Sequence, residues 1–261
     1  MLLKKTNKIG IYKILEYFII YSFLGFVLET LFALVVYGKF ESRQGLLYGP
    51  FCPIYGLGAV ILIYFLKEYK ENGFALFFGG LIIGSIVEYL VSLIGELAIN
   101  VKWWDYSDRF LNINGRICLL YSIYWGIISI FLIRVLNPLA DKFIELLKNK
   151  TNIKVLKIIV ILITVFLSID FVLSGIVLEI FSSRTIVENN IQAIEMDKHE
   201  WIYKNVYNNE RVNYLMKNIW NEEMVIKAYP NLKIILEDKS YVLAQNYYKD
   251  VKPYYYNFNE E

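Results

Sequence analysis

The sequence predicts an all-α polytopic membrane protein with about five transmembrane helices and a small water-facing C-terminal region. Of its 261 residues, 57% are apolar and only 20% are charged, and the mean hydropathy is +0.42. A helix needs about 20 mostly apolar residues to cross ~30 Å of hydrocarbon, because each residue adds about 1.5 Å. Five stretches meet this requirement: 14–37, 47–66, 74–99, 117–136 and 155–181.

The composition also excludes several classes of function. Lys and Arg total 27 against 25 for Asp and Glu, so the net charge of +2 gives no general field for nucleic acid. Two cysteines and a single histidine cannot build a disulfide framework or a four-ligand metal site. We therefore expect no metal, no cofactor and no nucleic-acid partner.

The first helix is predicted to be an uncleaved span that starts in the cytoplasm. Lys and Arg in short loops resist translocation, so the side richer in them is the inner side. With the N-terminus inside, twelve Lys and Arg lie on the inner side and six on the outer side. This distribution predicts a multi-pass protein of the cell membrane, embedded in its lipid bilayer, whose C-terminal tail is outside.

The second predicted helix begins with an unusual proline-containing motif. Proline lacks a backbone N–H and disfavours the α conformation in the residue before it, so this start is expected to be broken or re-entrant. Broken helices of this kind often line substrate pathways. The motif comprises Tyr48, Gly49, Pro50, Cys52, Pro53, Tyr55 and Gly56.

Acidic side chains inside the helices indicate a polar cluster in the outer half of the membrane. A charge near the bilayer centre costs about 2.5–3.5 kcal/mol on insertion scales, so it persists where a partner or a function offsets that cost. The first and third helices each carry a glutamate at this depth, and the outer loops supply arginines and aspartates. The predicted cluster is Glu29, Arg43, Glu88, Asp105, Asp108 and Arg116. Either a substrate site or an ion-paired clamp that fixes helix register fits this pattern.

A short repeat links the two glutamates. Gly25-Phe-Val-Leu-Glu29 in the first helix and Gly84-Ser-Ile-Val-Glu88 in the third share the same spacing. We expect two helical hairpins in parallel orientation, with the glutamates at equivalent depth and facing a shared centre.

The segment after the fourth helix is predicted to be a short amphipathic helix. Asn137-Pro138 is typical of a helix start, and the apolar residues after it recur at helical spacing. This short helix either lies on the inner headgroups or docks a cytoplasmic partner through Phe143, Leu146 and Leu147.

Residues 182–261 are predicted to form a separate extracytoplasmic tail. Two short strands are expected at 232–236 and 240–243, and the end of the chain is expected to fray from 252 onward.

Four runs of the sequence resemble the putative ABC-transporter type IV family, also called CmpB. They are 21–29, 45–56, 103–108 and 112–118, and the resemblance covers 17–138. It implies a multi-spanning component described as a putative ABC transporter permease. The family pattern would select Glu29, Gly45, Tyr48, Gly49, Pro50, Cys52, Pro53, Tyr55, Gly56, Glu88, Trp104, Asp105, Tyr106, Asn114, Gly115, Arg116 and Cys118.

We expect a permease-like transport subunit that is not itself an enzyme. The sequence contains no G-x-x-x-x-G-K-[ST] motif, so ATP binding would require a separate cytoplasmic ATPase. Five helices are few for a complete pathway, which favours a homo-oligomer or a partner subunit. The alternatives are a membrane-embedded enzyme acting on lipid-linked or anionic substrates, with Glu29 or Glu88 as general base, and an anchored sensor or scaffold that uses the tail.

Overall fold

The computed structural model describes residues 9–99, 101–102, 104–238 and 240–259. The helices are α1 (Ile11–Tyr37), α2 (Pro53–Leu66), α3 (Gly73–Ile99), α4 (Leu119–Phe131), α5 (Asn137–Lys150), α6 (Ile153–Glu188), α7 (Met196–Ile202), α8 (Glu210–Asn218) and α9 (Glu222–Ala228). The strands are β1 (Lys39–Phe40), β2 (Val101–Lys102), β3 (Lys233–Ile235), β4 (Tyr241–Leu243) and β5 (Tyr256–Asn257).

Four helical segments of the described chain are long and apolar enough to cross a membrane. They are Ile11–Tyr37, Gly73–Leu97, Leu119–Lys150 and Ile153–Glu188. These segments confirm the predicted all-α polytopic membrane fold. The last one continues beyond its predicted end at 181, because the polar side chains that follow are buried instead of meeting water. The buried polar residues of this extension are Ser182, Ser183 and Thr185.

The second predicted span is helical over only part of its length. The prediction was 47–66, whereas α2 starts at Pro53 and has 14 residues. Proline fits the first turn of a helix, but Pro50 and the left-handed Gly49 (φ +75°) keep the preceding chain out of α conformation. The helix therefore spans about 21 Å, roughly 9 Å less than the hydrocarbon thickness.

Short strands place the ends of α1 and α3 beside the chain that follows α6. β1 directly follows α1 and pairs antiparallel with β5, while β2 directly follows α3 and pairs antiparallel with β3. The C-terminal ends of α1 and α3 therefore lie on the same side as the region after α6. Between them in the chain lies α2, which at 14 residues is not among the four candidate crossings of the described chain.

The helix predicted to begin at Asn137-Pro138 is a continuation of α4. A π-helical turn, Leu132–Leu136, joins α4 to α5, and the Asn137 N–H donates to the Leu132 carbonyl. Pro138 cannot donate to the carbonyl four residues before it and would clash with it in a regular helix. The wider π turn accommodates the proline, so the chain remains helical from Leu119 to Lys150.

The contacts divide the chain into two compact units, and α1, α3 and α6 contribute residues to both. The first unit contains 9–25, 53–91 and 105–167, and the second contains 26–52, 92–104 and 168–259. Buried apolar side chains of α1, α2, α3, the π-helical turn and α5 form the core of the first unit, including Tyr17, Leu62, Leu76, Leu132 and Ile144. The core of the second unit joins the end of α6 to α7, α8, α9 and β3, including Val177, Phe181, Met216, Val225 and Ile234.

Residues 189–259, here called the C-terminal region, contain both short helices and short strands. β3 and β4 lie within the two segments predicted to be strands, and they pair antiparallel, with Ile234 opposite Val242. The prediction that the chain frays from 252 onward is wrong for 256–257, because β5 pairs with β1. The sequence did not indicate this pairing, since neither short strand has an apolar alternation of its own.

The only histidine of the chain, His199, is buried in the core of the second unit. Its Nδ1 lies 2.9 Å from the Ser183 Oγ. Burial lowers the pKa of His199, and Lys198 also lowers it, whereas the Glu179 and Glu195 carboxylates partly oppose the shift. The neutral imidazole is therefore the form that the fold favours.

Acidification below about pH 6.5 is expected to destabilise the C-terminal region through His199. The unfolded chain binds the imidazole proton near its ordinary pKa of ~6.5, but the folded chain binds it at lower pH. Stability is thus fully present above pH ~6.5, and each pH unit between the two pKa values costs about 1.4 kcal/mol. Melting temperatures of the wild type and His199→Gln at pH 7 and pH 5 test this. Equal pH dependence of the two proteins would contradict it.

Candidate functional site

Glu88 occupies a buried position between α3 and α4. Its side chain accepts hydrogen bonds from the Tyr106 hydroxyl at 3.1 Å and from the Trp125 Nε1–H at 3.0 Å. The residue is only 6% exposed. Gly84, one turn earlier on α3, provides the room for Trp125, because a Cβ at this position would overlap the indole ring. The carboxylate is therefore held by donors from α4 and from the loop before it.

Polar and aromatic groups surround this carboxylate. The Tyr106 ring stacks on Tyr121 with a centroid distance of 4.4 Å. On the neighbouring turns, Ser85 and Ser122 join α3 to α4 through a 2.7 Å hydrogen bond. Together these groups form an internally bonded polar centre within an apolar bundle.

Three residues of the predicted cluster, Asp105, Asp108 and Arg116, lie between α3 and α4 and belong to the same compact unit as Glu88. Asp105 accepts hydrogen bonds from the Ser107 Oγ at 2.6 Å and from its backbone N–H at 3.1 Å. Asp108 lies 3.8 Å from Arg109, and both side chains are exposed. The Arg116 guanidinium lies over the ring of Tyr89, 5.5 Å from its centroid. These contacts organise a structured polar loop.

The other two members of the predicted cluster, Glu29 and Arg43, belong to the second unit. Glu29 is a partly exposed residue of α1. Arg43 forms a 2.5 Å ion pair with the buried Glu41 and lies over the Tyr37 ring at 5.7 Å. The structure thus gives Arg43 and Glu88 different polar partners. The association of all six residues in one site stays a prediction.

The motif before α2 is held by two side chains of α6. The backbone N–H of Leu47 donates to the Ser174 Oγ at 2.9 Å, and that of Tyr48 donates to the Asp170 Oδ2 at 3.1 Å. Ser174 also donates to Asp170. Non-helical backbone at membrane depth requires such internal partners, because lipid offers none. Asp170 and Ser174 are therefore site residues that sequence reasoning did not assign, although Asp170 was recognisable as an acid within an apolar helix.

The remaining motif residues pack closely. The Trp220 indole N–H donates to the Tyr48 hydroxyl at 3.0 Å. Gly25 of α1 faces the Tyr55 ring, and Gly56 faces Ser22, so that neither glycine leaves room for a Cβ. In both Gly-x-x-x-Glu motifs the glycine thus meets an aromatic ring of the following helix. Both cysteines are buried thiols.

The predicted docking helix α5 exposes several apolar side chains, and its Asp141 and Lys148 pair with residues of α1. Asp141 lies 2.6 Å from Lys13 and accepts a 2.6 Å hydrogen bond from Tyr17, both on α1. Lys148 forms a 3.1 Å ion pair with Glu16. In contrast, Phe143 and Leu146 are 52% and 48% exposed, and Leu147 is partly exposed. Among the described residues, no group of three or more His, Cys, Asp or Glu side chains could hold a metal ion.

Comparison with known families places these features in context. A family model described as putative ABC-transporter type IV matches residues 16–175. The chain belongs to this family. The match extends past the region of resemblance found in the sequence and includes Asp170 and Ser174, the two residues that hold the CmpB motif before α2. No curated protein and no solved structure matches the chain. Family and helices together identify a multi-pass membrane component of transporter type.

Proposed function

We propose that the chain is the permease-like subunit of an ABC transporter and that a separate cytoplasmic ATPase supplies the energy. Family membership supports transport, and the absence of a G-x-x-x-x-G-K-[ST] motif from the sequence supports a separate ATPase. In this proposal the chain carries out no catalysis itself. A homo-oligomer or a further membrane subunit completes the pathway, because five predicted crossings enclose little space.

The exposed apolar face of α5 is the observation that carries the ATPase interaction. The continuous helix Leu119–Lys150 has 32 residues and is about 48 Å long, roughly 18 Å longer than the hydrocarbon is thick. Its last turns therefore project from the membrane. There Leu139, Phe143 and Leu146 are exposed, while two of the charged side chains pair with α1. An apolar stripe in water is typical of a docking surface.

The proposed orientation places this projection in the cytoplasm. Lys and Arg are concentrated on the side of the N-terminus and of the α5–α6 connection, which favours an inner location for that side. The C-terminal region then lies outside the cell membrane. Within the membrane, the predicted cluster Glu29, Arg43, Glu88, Asp105, Asp108 and Arg116 is the proposed polar site for a substrate, and Glu88 is its buried member.

Purification from native membranes after crosslinking tests this proposal. We expect the wild type to copurify with an ATP-hydrolysing protein that carries a G-x-x-x-x-G-K-[ST] motif. The double variant Phe143→Asp, Leu146→Asp should lose that partner while keeping its melting temperature. The matched control is Trp201→Asp, which changes a 61% exposed apolar side chain of the C-terminal region. The absence of any ATPase partner of the wild type, or equal loss in the control, would overturn the proposal.

A further inference from the structure

The loop between α3 and α4 has a backbone that is held by its own hydrogen bonds. The Tyr106 N–H donates to the Gly115 carbonyl at 2.8 Å, and the Ile113 N–H donates to the Ile117 carbonyl at 2.9 Å. The Asn112 side-chain amide donates to the carbonyls of Ser107 and Arg109 at 3.1 and 2.9 Å. These bonds cross-link residues 105–117, called here the α3–α4 loop, into a defined shape.

This ordered loop presents apolar side chains at its tip. Phe110, Leu111 and Ile113 are 77%, 61% and 54% exposed. Leu111 also has a positive φ of 49°, a left-handed conformation that is unfavourable for a residue with a branched side chain. An ordered loop that holds three neighbouring apolar side chains outward indicates a surface that is covered in use.

The packing of α3 against α4 establishes the depth of the loop in the membrane. Gly80 meets Ser129, Gly84 meets Trp125, and Ser85 bonds to Ser122. The two helices are thus antiparallel, and by this register Leu119 at the start of α4 lies level with Glu88. At the opposite end, Gly73 lies beside Arg134, whose side chain donates to the carbonyls of Lys70 and Glu71. That charged turn marks the far membrane surface.

The distance from this surface to the loop is shorter than the hydrocarbon is thick. Fifteen residues separate Arg134 from Leu119, which corresponds to about 22 Å along the helix. The hydrocarbon measures ~30 Å, so about 8 Å of it remains beyond the start of α4. The α3–α4 loop occupies this depth, because the Asn114 side chain donates to the Tyr89 hydroxyl and Tyr106 donates to Glu88.

Membrane depth accounts for the internal bonding of the loop. Backbone N–H and C=O groups have no water partners within the hydrocarbon, so irregular segments persist there only when their polar groups are bonded within the protein. The hydrogen bonds of Tyr106, Ile113 and Asn112 meet that requirement. The exposed tip then faces the acyl chains and the adjoining headgroups.

We propose that the α3–α4 loop is an interfacial membrane anchor whose tip, Phe110 to Ile113, inserts into the leaflet opposite to the Arg134 surface. Lipid acyl chains are the partner that the apolar tip fits. Arg109 beside the tip is exposed, and its long cationic side chain suits contact with lipid phosphates near a membrane surface. The loop is thus part of the membrane-embedded structure.

Spin-label accessibility in phosphatidylcholine vesicles tests this anchor. We expect a label at Phe110→Cys to collide more with oxygen, which concentrates in lipid, than with a water-soluble nickel chelate. A label at Glu210→Cys, an exposed position of α8, should show the reverse. Cys52 and Cys118 are buried, so the labelled wild type measures their background. Leu111→Cys provides a second tip position should Phe110→Cys fail to fold.

Two results would overturn the proposal. One is preferential collision of the tip label with the nickel chelate, which would place the tip in water. The other is strong dipolar broadening between labels that disappears on dilution with unlabelled protein, which would show that a second copy of the chain covers the tip. If the tip label collides mainly with oxygen and shows no such dipolar broadening, the result supports insertion of the tip into lipid.

Discussion

Gly80→Ala is expected to destabilise the helical bundle by about 1–3 kcal/mol or more, because overpacked cores lose about this much. A Cβ at Gly80 would overlap the side chain of Ser129 and come within 2.9 Å of the Trp125 carbonyl oxygen. Ser129 cannot move aside freely, since its hydroxyl bonds to the carbonyls of Leu76 and Gly126. The helices would therefore have to separate. Thermal unfolding in detergent or nanodiscs measures the effect.

Gly175→Ala is the matched control for this substitution. Gly175 is also a helical glycine of a membrane-crossing helix, but nothing lies within 4 Å of the position that its Cβ would take. Alanine there should be neutral or stabilising by up to about 1 kcal/mol, because glycine is the poorer helix former. If Gly80→Ala were as stable as Gly175→Ala, the close approach of α3 and α4 at Gly80 would be wrong.

Glu88→Leu is expected to have the second large effect. The change would leave the Tyr106 hydroxyl and the Trp125 N–H buried without their acceptor, and each such donor costs about 1–3 kcal/mol. Glu88→Gln retains a side-chain oxygen in the same place and should lose much less stability. Melting temperatures of the two variants in nanodiscs make the comparison. Equal stability of Glu88→Leu and the wild type would contradict the observed hydrogen bonding.

The glutamine variant also separates the two interpretations of Glu88. If the residue only fixes the register of α3 and α4, Glu88→Gln should keep both the fold and the ATP hydrolysis of the copurified complex. If its charge contacts a substrate, Glu88→Gln should keep the fold but lose substrate-stimulated hydrolysis. Lys198→Gln, at an ion pair of the C-terminal region, is a control for removal of a charge elsewhere.

The long apolar stretches predicted the crossings, but they did not predict how helices begin and join. α1, α3 and α6 were predictable because helix length follows from hydrocarbon thickness. Apolar composition placed residues 47–52 inside the second predicted span, whereas Gly49 and Pro50, part of the motif that predicted a broken start, keep these residues non-helical. Asn137-Pro138 has the residues of a helix start, and the π turn that absorbs the proline depends on a shifted hydrogen bond that no residue type encodes.

The candidate site was predictable for single residues and not for their partners. An acid at position 88 within an apolar helix indicated a buried polar group, because exposure to lipid would cost too much. Its donors, Tyr106 and Trp125, lie on a loop and on another helix, so only the fold could bring them together. Asp170 binds a backbone N–H, which every non-proline residue carries, and sequence patterns therefore cannot select that partner.

The pairing of β1 with β5 has a consequence for biosynthesis. Lys39 pairs with Asn257, so the ribosome makes the first strand long before its partner. At about 5–20 residues per second, roughly 10–40 s pass between them. During this time the translocon must integrate the remaining membrane-crossing helices while the edge of β1 stays unpaired. This sheet therefore assembles late. It can form only if the helices between its two strands have crossed the membrane so that both strands are on the same side.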